Sequence, residues 1–377
     1  MKVVDLFAGA GGMSEGFKQA GFFSSVATDF DEMAAKTFTY NHPHVPFITK
    51  DVREISSREV LDASGATPGD FAVICGGPPC QMFSLAGPRI IDDPRNQLFL
   101  EFVRLVDDLE PDFFVFENVY GLLTMQKGQV HEAILRAFSE LGYNINWRIM
   151  NTADYGVPQA RPRYIIVGSK PEFDYRLPDP EFFPKVGEEQ TLFSTNERAH
   201  LTVWDAISDL PEIFQGEGNE ELFHSGSYDN SYQTSRRGHR YPGRIFNHRA
   251  TGHSERIVER YAAMPQGGGN RDLPKHLQTK KNNIFRLHQN KPSRTVTCNH
   301  RTDLLHPTLP RGTTVREAAR LQSFDDDYRF FGNLTRKAAW LTQDDQVGNA
   351  VPPLFARAIA ESIRQSMSNN GSTKNHG

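Results

Sequence analysis

Up to Gly168 the apolar residues fall into short unbroken runs, separated by stretches whose apolar positions recur at helical spacing. The runs Val3–Phe7, Val26–Thr28, Phe71–Cys75, Phe113–Phe116, Ile145–Met150 and Tyr164–Val167 read as strands, several of them buried on both faces. Between them, Met13, Phe17 and Ala20 share one helical face that Gly21 closes. A second stripe runs through Leu98, Phe102, Leu105, Val106 and Leu109, opened by Asp93-Pro94 and stopped by Pro111. A third passes through Val130, Ile134, Phe138 and Leu141 and ends at Gly142. Strands alternating with helices predict an α/β fold, a doubly wound and mostly parallel sheet covered on both faces.

The alternation stops after Gly168. Pro171, Pro178, Pro180 and Pro184 mark a linker, Gly216 to Ser235 is rich in Gly, Ser, Asn and Glu, and three consecutive glycines lie between Pro265 and Pro274. We expect a first domain over 1–169 and a smaller, irregular second domain over 170–334. Order returns with a short helix at Thr314–Gln322, and the chain goes back to the first domain over 335–366, where Pro352-Pro353 opens an amphipathic helix. A disordered polar tail is expected over 367–377.

The 377 residues include three cysteines without regular spacing, which speaks against a disulfide framework and for a reducing compartment. No apolar run approaches membrane-spanning length, and the chain enters a strand almost at once instead of a signal peptide, so a soluble cytoplasmic protein is expected. The net charge of −4 does not advertise a nucleic-acid partner. Charge placement says more: from Arg236 to Arg249 basic residues alternate with aromatics and no acid intervenes, which suits phosphate contacts with some stacking. Cys298, His300 and His306 fit no standard zinc spacing, and no metal is expected.

Candidate chemistry begins at Phe7-Ala8-Gly9-Ala10-Gly11-Gly12, a strand, glycine turn and helix start that lets backbone approach a ligand closely. It lacks the Gly-Lys-Ser/Thr ending of a phosphate loop. Asp29 ends the next strand and suits ribose hydroxyls, Phe30 could stack on adenine, and Asp51 could accept from an adenine amino group. Together these describe an adenosine site without choosing the cofactor; Asp31 is the better helix cap. Cys80 follows Gly76-Gly77-Pro78-Pro79, a stiff loop leaving a strand, which suits a preorganised nucleophile better than a core thiol. Glu117-Asn118-Val119 follows the strand Phe113–Phe116, and Gln159-Ala160-Arg161-Pro162-Arg163 precedes another.

With Arg316-Glu317-Ala318-Ala319-Arg320-Leu321-Gln322 and Gly348-Asn349, these segments match in order the motifs of the DNA cytosine-5 methyltransferase family of bacterial type, which the chain closely resembles over nearly its whole length. The resemblance implies that Cys80 adds to carbon 6 of a flipped-out cytosine, making carbon 5 nucleophilic. It implies Glu117 at ring nitrogen 3, a proton-donor role typically worth about two to four orders of magnitude in rate. Arg163 would contact the ring carbonyl, Arg161 would orient the site, the Pro79 carbonyl would meet the exocyclic amino group, and Asn118 would hold the loop. The methyl donor would be S-adenosylmethionine, surrounded by Phe7, Gly9, Gly11, Asp29, Phe30, Asp51, Leu98, Asn349 and Ala350.

Double-stranded DNA would be met by the loop after Cys80, with Ser84 and Arg89, and by the 170–334 region, with Arg236, Arg237, Arg240, Arg244 and Thr297. A monomer is expected, with a cognate restriction endonuclease acting separately if one exists. The rival readings are a tRNA cytosine-5 methyltransferase, a catalytically inactive DNA-binding homologue and, least supported, a nicotinamide oxidoreductase.

Overall fold

The structure, a computed structural model, describes residues 1–79, 97–184, 198–224, 226, 230–335 and 340–374. Two compact units emerge: Met1–Asn151 with Pro162–Asp179 and Pro353–Gly377, and Thr152–Arg161 with Pro180–Pro352. The sequence places these junctions at 169/170 and 334/335; the contacts divide at Asp179/Pro180 and Pro352/Pro353.

The first unit is built on a seven-stranded sheet, β1 (Lys2–Leu6), β2 (Phe23–Asp29), β3 (Phe47–Thr49), β4 (Phe71–Gly76), β5 (Phe113–Val119), β6 (Asn144–Asn151) and β7 (Pro162–Ser169). Their spatial order is β3-β2-β1-β4-β5-β7-β6, parallel throughout except that β7 runs antiparallel to both β5 and β6. From β1 the chain winds outward through β2 and β3, then returns to the other side of β1 as β4. That reversal makes the β1/β4 boundary a switch point, where open sheets hold ligands beyond their carboxyl ends.

Burial explains the apolar runs. Val3, Val4, Leu6, Val73, Ile74 and Phe113–Phe116 are all at most 1% exposed, as strands covered on both faces require. A phenylalanine cluster fills one face: Phe114 stacks on Phe138 at 4.1 Å between centroids, and Phe102 meets Phe116 edge-on at 5.7 Å. On helix α1 (Gly12–Gln19), Gly16 lies against the C-terminal helix Pro353–Lys374, and an added Cβ would come within 2.4 Å of the Pro353 carbonyl. The C-terminal helix runs to Lys374, so helix occupies much of the stretch expected as a disordered tail. Asp31 caps helix α2 (Glu32–Asn41) by accepting from the amides of Met33 and Ala34.

The second unit replaces extended sheet with buried charge. Arg311, Arg316 and Arg320 are at most 1% exposed. Arg311 forks onto Glu317 at 2.7 and 2.9 Å, and Arg320 holds Asp326 at 2.6 Å and Asp209 at 3.1 Å. Arg316 instead donates to the backbone carbonyls of Phe246, Asp325 and Tyr328. With no carboxylate bonded to it among the described residues, burial pulls the Arg316 guanidinium down to about 10. Burial would raise the Glu317 carboxyl, but Arg311 beside it holds it well below the usual carboxylate range. Among the described residues, no helix is long and apolar enough to cross a membrane.

Candidate active site

In the first unit the glycine turn leaves β1 with Phe7, Gly9 and Gly11 all at positive φ (57°, 53° and 92°), a path that non-glycine Phe7 adopts at a steric cost. The turn is tied down from the next strand: the Gly9 amide donates to Asp29 Oδ2 at 2.9 Å, and the Asp31 amide to Asp29 Oδ1 at 3.0 Å. Burial raises the Asp29 carboxyl above its usual range, against the pull of those two amides. A Cβ on Gly9 would meet no described atom within 4 Å, so the turn opens onto free space. Phe30 stands beside it with 62% of its surface exposed. Asp51 is engaged by its neighbour: it caps the turn Val52–Glu54 and accepts from both the amide and Nε of Arg53, whose side chain holds its carboxyl below the usual range. Leu98 is half-buried in helix α3 (Gln97–Leu109), packed against the sheet's core. Beneath the turn, Asp5 is 1% exposed and accepts from Ser14 Oγ at 2.6 Å.

The second cluster of this unit lies where β4, β5 and β7 end or begin. β5 extends to Val119, further than its apolar run, because β7 pairs along its whole length. Arg163 opposes Val119 and Glu117 opposes Ile165, so Arg163 and Glu117 are diagonal neighbours on one face. Arg163 Nε reaches Glu117 Oε1 at 2.8 Å, with the two side chains only 9% and 12% exposed. Asn118, on the opposite face, donates from Nδ2 to the Pro78 carbonyl at 3.0 Å and accepts from the Val119 amide at 2.8 Å. The two glycines before the prolines have separate reasons. A Cβ on Gly76 would lie 2.6 Å from the Leu6 carbonyl, and one on Gly77 would crowd the Glu117 carboxylate. Pro79 is exposed at the end of this loop; Cys80, Ser84 and Arg89 lie outside the described residues.

In the second unit Arg161 precedes the strand that carries Arg163 and is 3% exposed. It donates to the carbonyls of Val296 and Gly348 at 2.8 Å each and Ala350 at 3.3 Å. Two residues that the sequence reading left without a role complete this knot. Gln159 Nε2 donates to Gln322 Oε1 at 2.7 Å and its Oε1 accepts from the Val296 amide at 2.7 Å, while Gln322 donates to the Val347 carbonyl at 2.7 Å. Their motif spacing was visible; their mutual contact spans 163 positions and was not. Gly348 is required by the close approach of the Thr297–Cys298 peptide, 2.4 Å from where its Cβ would be. Thr297 and Asn349 are exposed, Ala350 is buried, and the Cys298 thiol lies 3.1 Å from Asn349 Oδ1.

The arginine run needs correction. Arg236 is 5% exposed, donates to the Ser323 carbonyl at 2.6 Å and pairs with Asp325 at 3.0 Å; Arg237 pairs with Asp209 at 2.8 Å. Arg236 is thereby tied into the interior, and Arg237 is half-buried against Asp209. The absence of acids within the run misled, because the compensating carboxylates arrive from elsewhere in the chain. Arg244 is half-buried against Glu221 and the Phe223 and Tyr241 rings, whereas Arg240 remains exposed.

The sheet thus carries the glycine turn after β1 and the Glu117–Arg163 pair where β5 ends and β7 begins. The family model for C-5 cytosine-specific DNA methylase matches residues 1–365. The chain is 38% identical to the type II methyltransferase M.DdeI of Desulfomicrobium norvegicum, covering 96% of this chain and 88% of that protein. It is 35% identical to M1.HphI of Haemophilus parahaemolyticus, over 96% and 86%. Among solved structures, a prophage-encoded Escherichia coli chain assigned as a DNA modification methyltransferase superposes with a TM-score of 0.77 at 29% identity, covering 98% of this chain and 99% of that one. The chain belongs to the C-5 cytosine-specific DNA methylase family.

Proposed function

We propose that the protein transfers a methyl group from S-adenosylmethionine to carbon 5 of a cytosine rotated out of duplex DNA, through a transient bond from Cys80 to carbon 6. The observation that carries this reading is the cluster at the end of β5, where Glu117 is held by Arg163 and Asn118 holds the Pro78 carbonyl, one residue from Pro79 and two from Cys80. Addition of the thiolate forms the sulfur–carbon bond and pushes the ring electrons toward carbon 5 and nitrogen 3. Glu117 meets nitrogen 3, Arg163 the ring carbonyl, and the Pro79 carbonyl the amino group. Bound S-adenosylmethionine supplies an electrophilic methyl group on a sulfonium. Loss of the proton from carbon 5 to water or hydroxide, with the electron pair expelling sulfur from carbon 6, returns Cys80 as thiolate.

The donor's fit is supported by the open space beside Gly9, the exposed ring of Phe30 and the Asp29 carboxylate that fixes the turn. Asn349 and Ala350, which the resemblance assigns to the donor, lie in the second unit, where Arg161 donates to the carbonyls of Gly348 and Ala350. The relatives named as type II methyltransferases support a role in modifying a short DNA site, with a separate endonuclease cutting the unmethylated site, among the DNA of the cytoplasm.

The test is transfer of labelled methyl groups to duplex DNA and to tRNA side by side. Label in DNA, with a covalent adduct on 5-fluorocytosine duplexes that Cys80→Ala abolishes, is expected. Label in tRNA alone, or an adduct surviving in Cys80→Ala, overturns the proposal.

A further inference from the structure

Most arginines of the second unit that suggest DNA contact from sequence turn out to be committed to carboxylates or carbonyls. Arg294 is not among them. It is exposed, and its guanidinium carbon lies 3.6 Å from the centroid of the Phe285 ring, the shortest guanidinium–ring contact among the described residues. No hydrogen bond or ion pair from its side chain is formed to the described residues.

The backbone on both sides of Arg294 is fixed. Ser293 exchanges backbone hydrogen bonds with Pro158 and Ala160 at 3.0 and 2.8 Å, Thr295 Oγ1 donates to the Ala160 carbonyl at 3.1 Å, and the Val296 amide donates to Gln159. The ring beneath is equally constrained. Phe285 belongs to a two-residue strand paired with Leu304–Leu305, and its neighbour Arg286 is buried with donations to the carbonyls of Tyr261, Met264, His306 and Leu309. A flat guanidinium stacked on a fixed ring is biased toward one plane before any ligand arrives, while its outer N–H edge remains available.

We propose that Arg294 is a specificity-determining residue that reads a guanine of the DNA site through N7 and O6. This rests on the reading of the chain as a DNA methyltransferase. A planar fork of two N–H groups matches the paired acceptors of guanine in the major groove, the commonest specific arginine contact. Every site that contains a cytosine pairs it with a guanine, so such a partner is always present. Phosphate accepts the same fork, but a phosphate contact carries no sequence information, which is what the test separates.

The test starts from bisulfite mapping of the site methylated by the full-length wild-type chain. Initial rates are then measured on duplexes in which each guanine of that site is replaced in turn, including by 7-deazaguanine. At one guanine, Arg294→Ala is expected to reduce wild-type discrimination by about 5- to 150-fold, with the 7-deaza penalty disappearing. Arg294→Lys is expected to lose it as well, since lysine keeps the charge without the fork. It also carries the test should the alanine variant melt early. A uniform loss across all duplexes with a shallower salt dependence would make Arg294 a phosphate contact and overturn the assignment, as would unchanged discrimination in both variants. A wild-type chain that methylates no DNA would remove the activity itself, a failure seen before any variant is made.

Discussion

A Cβ placed on Gly77 would lie 2.9 Å from Oε2 of Glu117, so the carboxylate keeps its position only while residue 77 lacks a side chain. Displacement would be felt twice, at Glu117 and at the Arg163 Nε that grips its other oxygen at 2.8 Å. Gly77→Ala is therefore expected to lower single-turnover methyl transfer by about 10²-fold, the cost of misplacing a reacting group by about 1 Å, while thermal melting changes little. An unchanged rate would mean that Glu117 can yield without consequence.

Arg163 presents Nε to Glu117 and Nη1 to the Pro162 carbonyl at 2.8 Å, a division of labour that an ammonium cannot reproduce. Arg163→Lys retains the charge at this position and should still lose roughly 10²-fold in turnover, with affinity for S-adenosylmethionine held within about twofold. Equilibrium binding of the donor alongside single-turnover rates separates the two effects. A loss confined to donor affinity would place Arg163 outside the chemistry.

Gln322 makes two of the knot's hydrogen bonds with one side chain, accepting from Gln159 and donating to the Val347 carbonyl at 2.7 Å each. Gln322→Leu leaves the buried Val347 carbonyl without its donor, at a cost of about 1–3 kcal/mol, and leaves Gln159 Nε2 only its 3.3 Å bond to the Leu321 carbonyl. Denaturant unfolding should show a loss of a few kcal/mol. Gln322→Glu should restore the contact from Gln159 but not the one to Val347, and so recover only part of it. Equal stability of the leucine variant and wild type would refute the knot.

How far the chain could be read in advance follows from which forces act locally. The runs Val3–Phe7 and Phe113–Phe116, the cap at Asp31 and the stops at Gly21 and Gly142 depend on neighbours within a few positions, and they stand in the structure near where the pattern puts them. The ordered motifs likewise placed Glu117 beside Asn118, and pointed to Asp29 near the glycine turn. What stayed hidden depends on partners distant in the chain. Arg236 looked free because Asp325 lies far from it in sequence, and Arg237 because Asp209 does. The reversed direction of β7, which brings Arg163 diagonal to Glu117, leaves no mark on a run of Tyr, Ile, Ile and Val. Gly77 reads as loop punctuation until the carboxylate it makes room for is seen.

Asp5 provides the last prediction, through pH. Its carboxyl is fully enclosed beneath the glycine turn, and burial pushes it up to about 7 against the hydrogen bonds from Ser14 and the Cys75 thiol, with the Asp29 charge adding to the rise. In the unfolded chain the same group titrates near 3.8. The fold therefore holds the proton more tightly than the unfolded chain does, and the stability this contributes is complete below about pH 4 and lost as pH climbs through about 7. Cys75 adds no charge in this range, because burial first and Asp5 second drive its thiol upward. Asp5→Asn keeps an acceptor for Ser14 and cannot ionise. Relative to wild type it should gain stability steadily between pH 4 and 7, by up to about 4 kcal/mol, and hold that advantage above pH 7. Urea unfolding of both proteins at several pH values across this window measures the difference directly. A difference that stays constant with pH would show that Asp5 ionises in the fold as readily as in the open chain, and the tie beneath the turn would then have to be an ionised carboxylate.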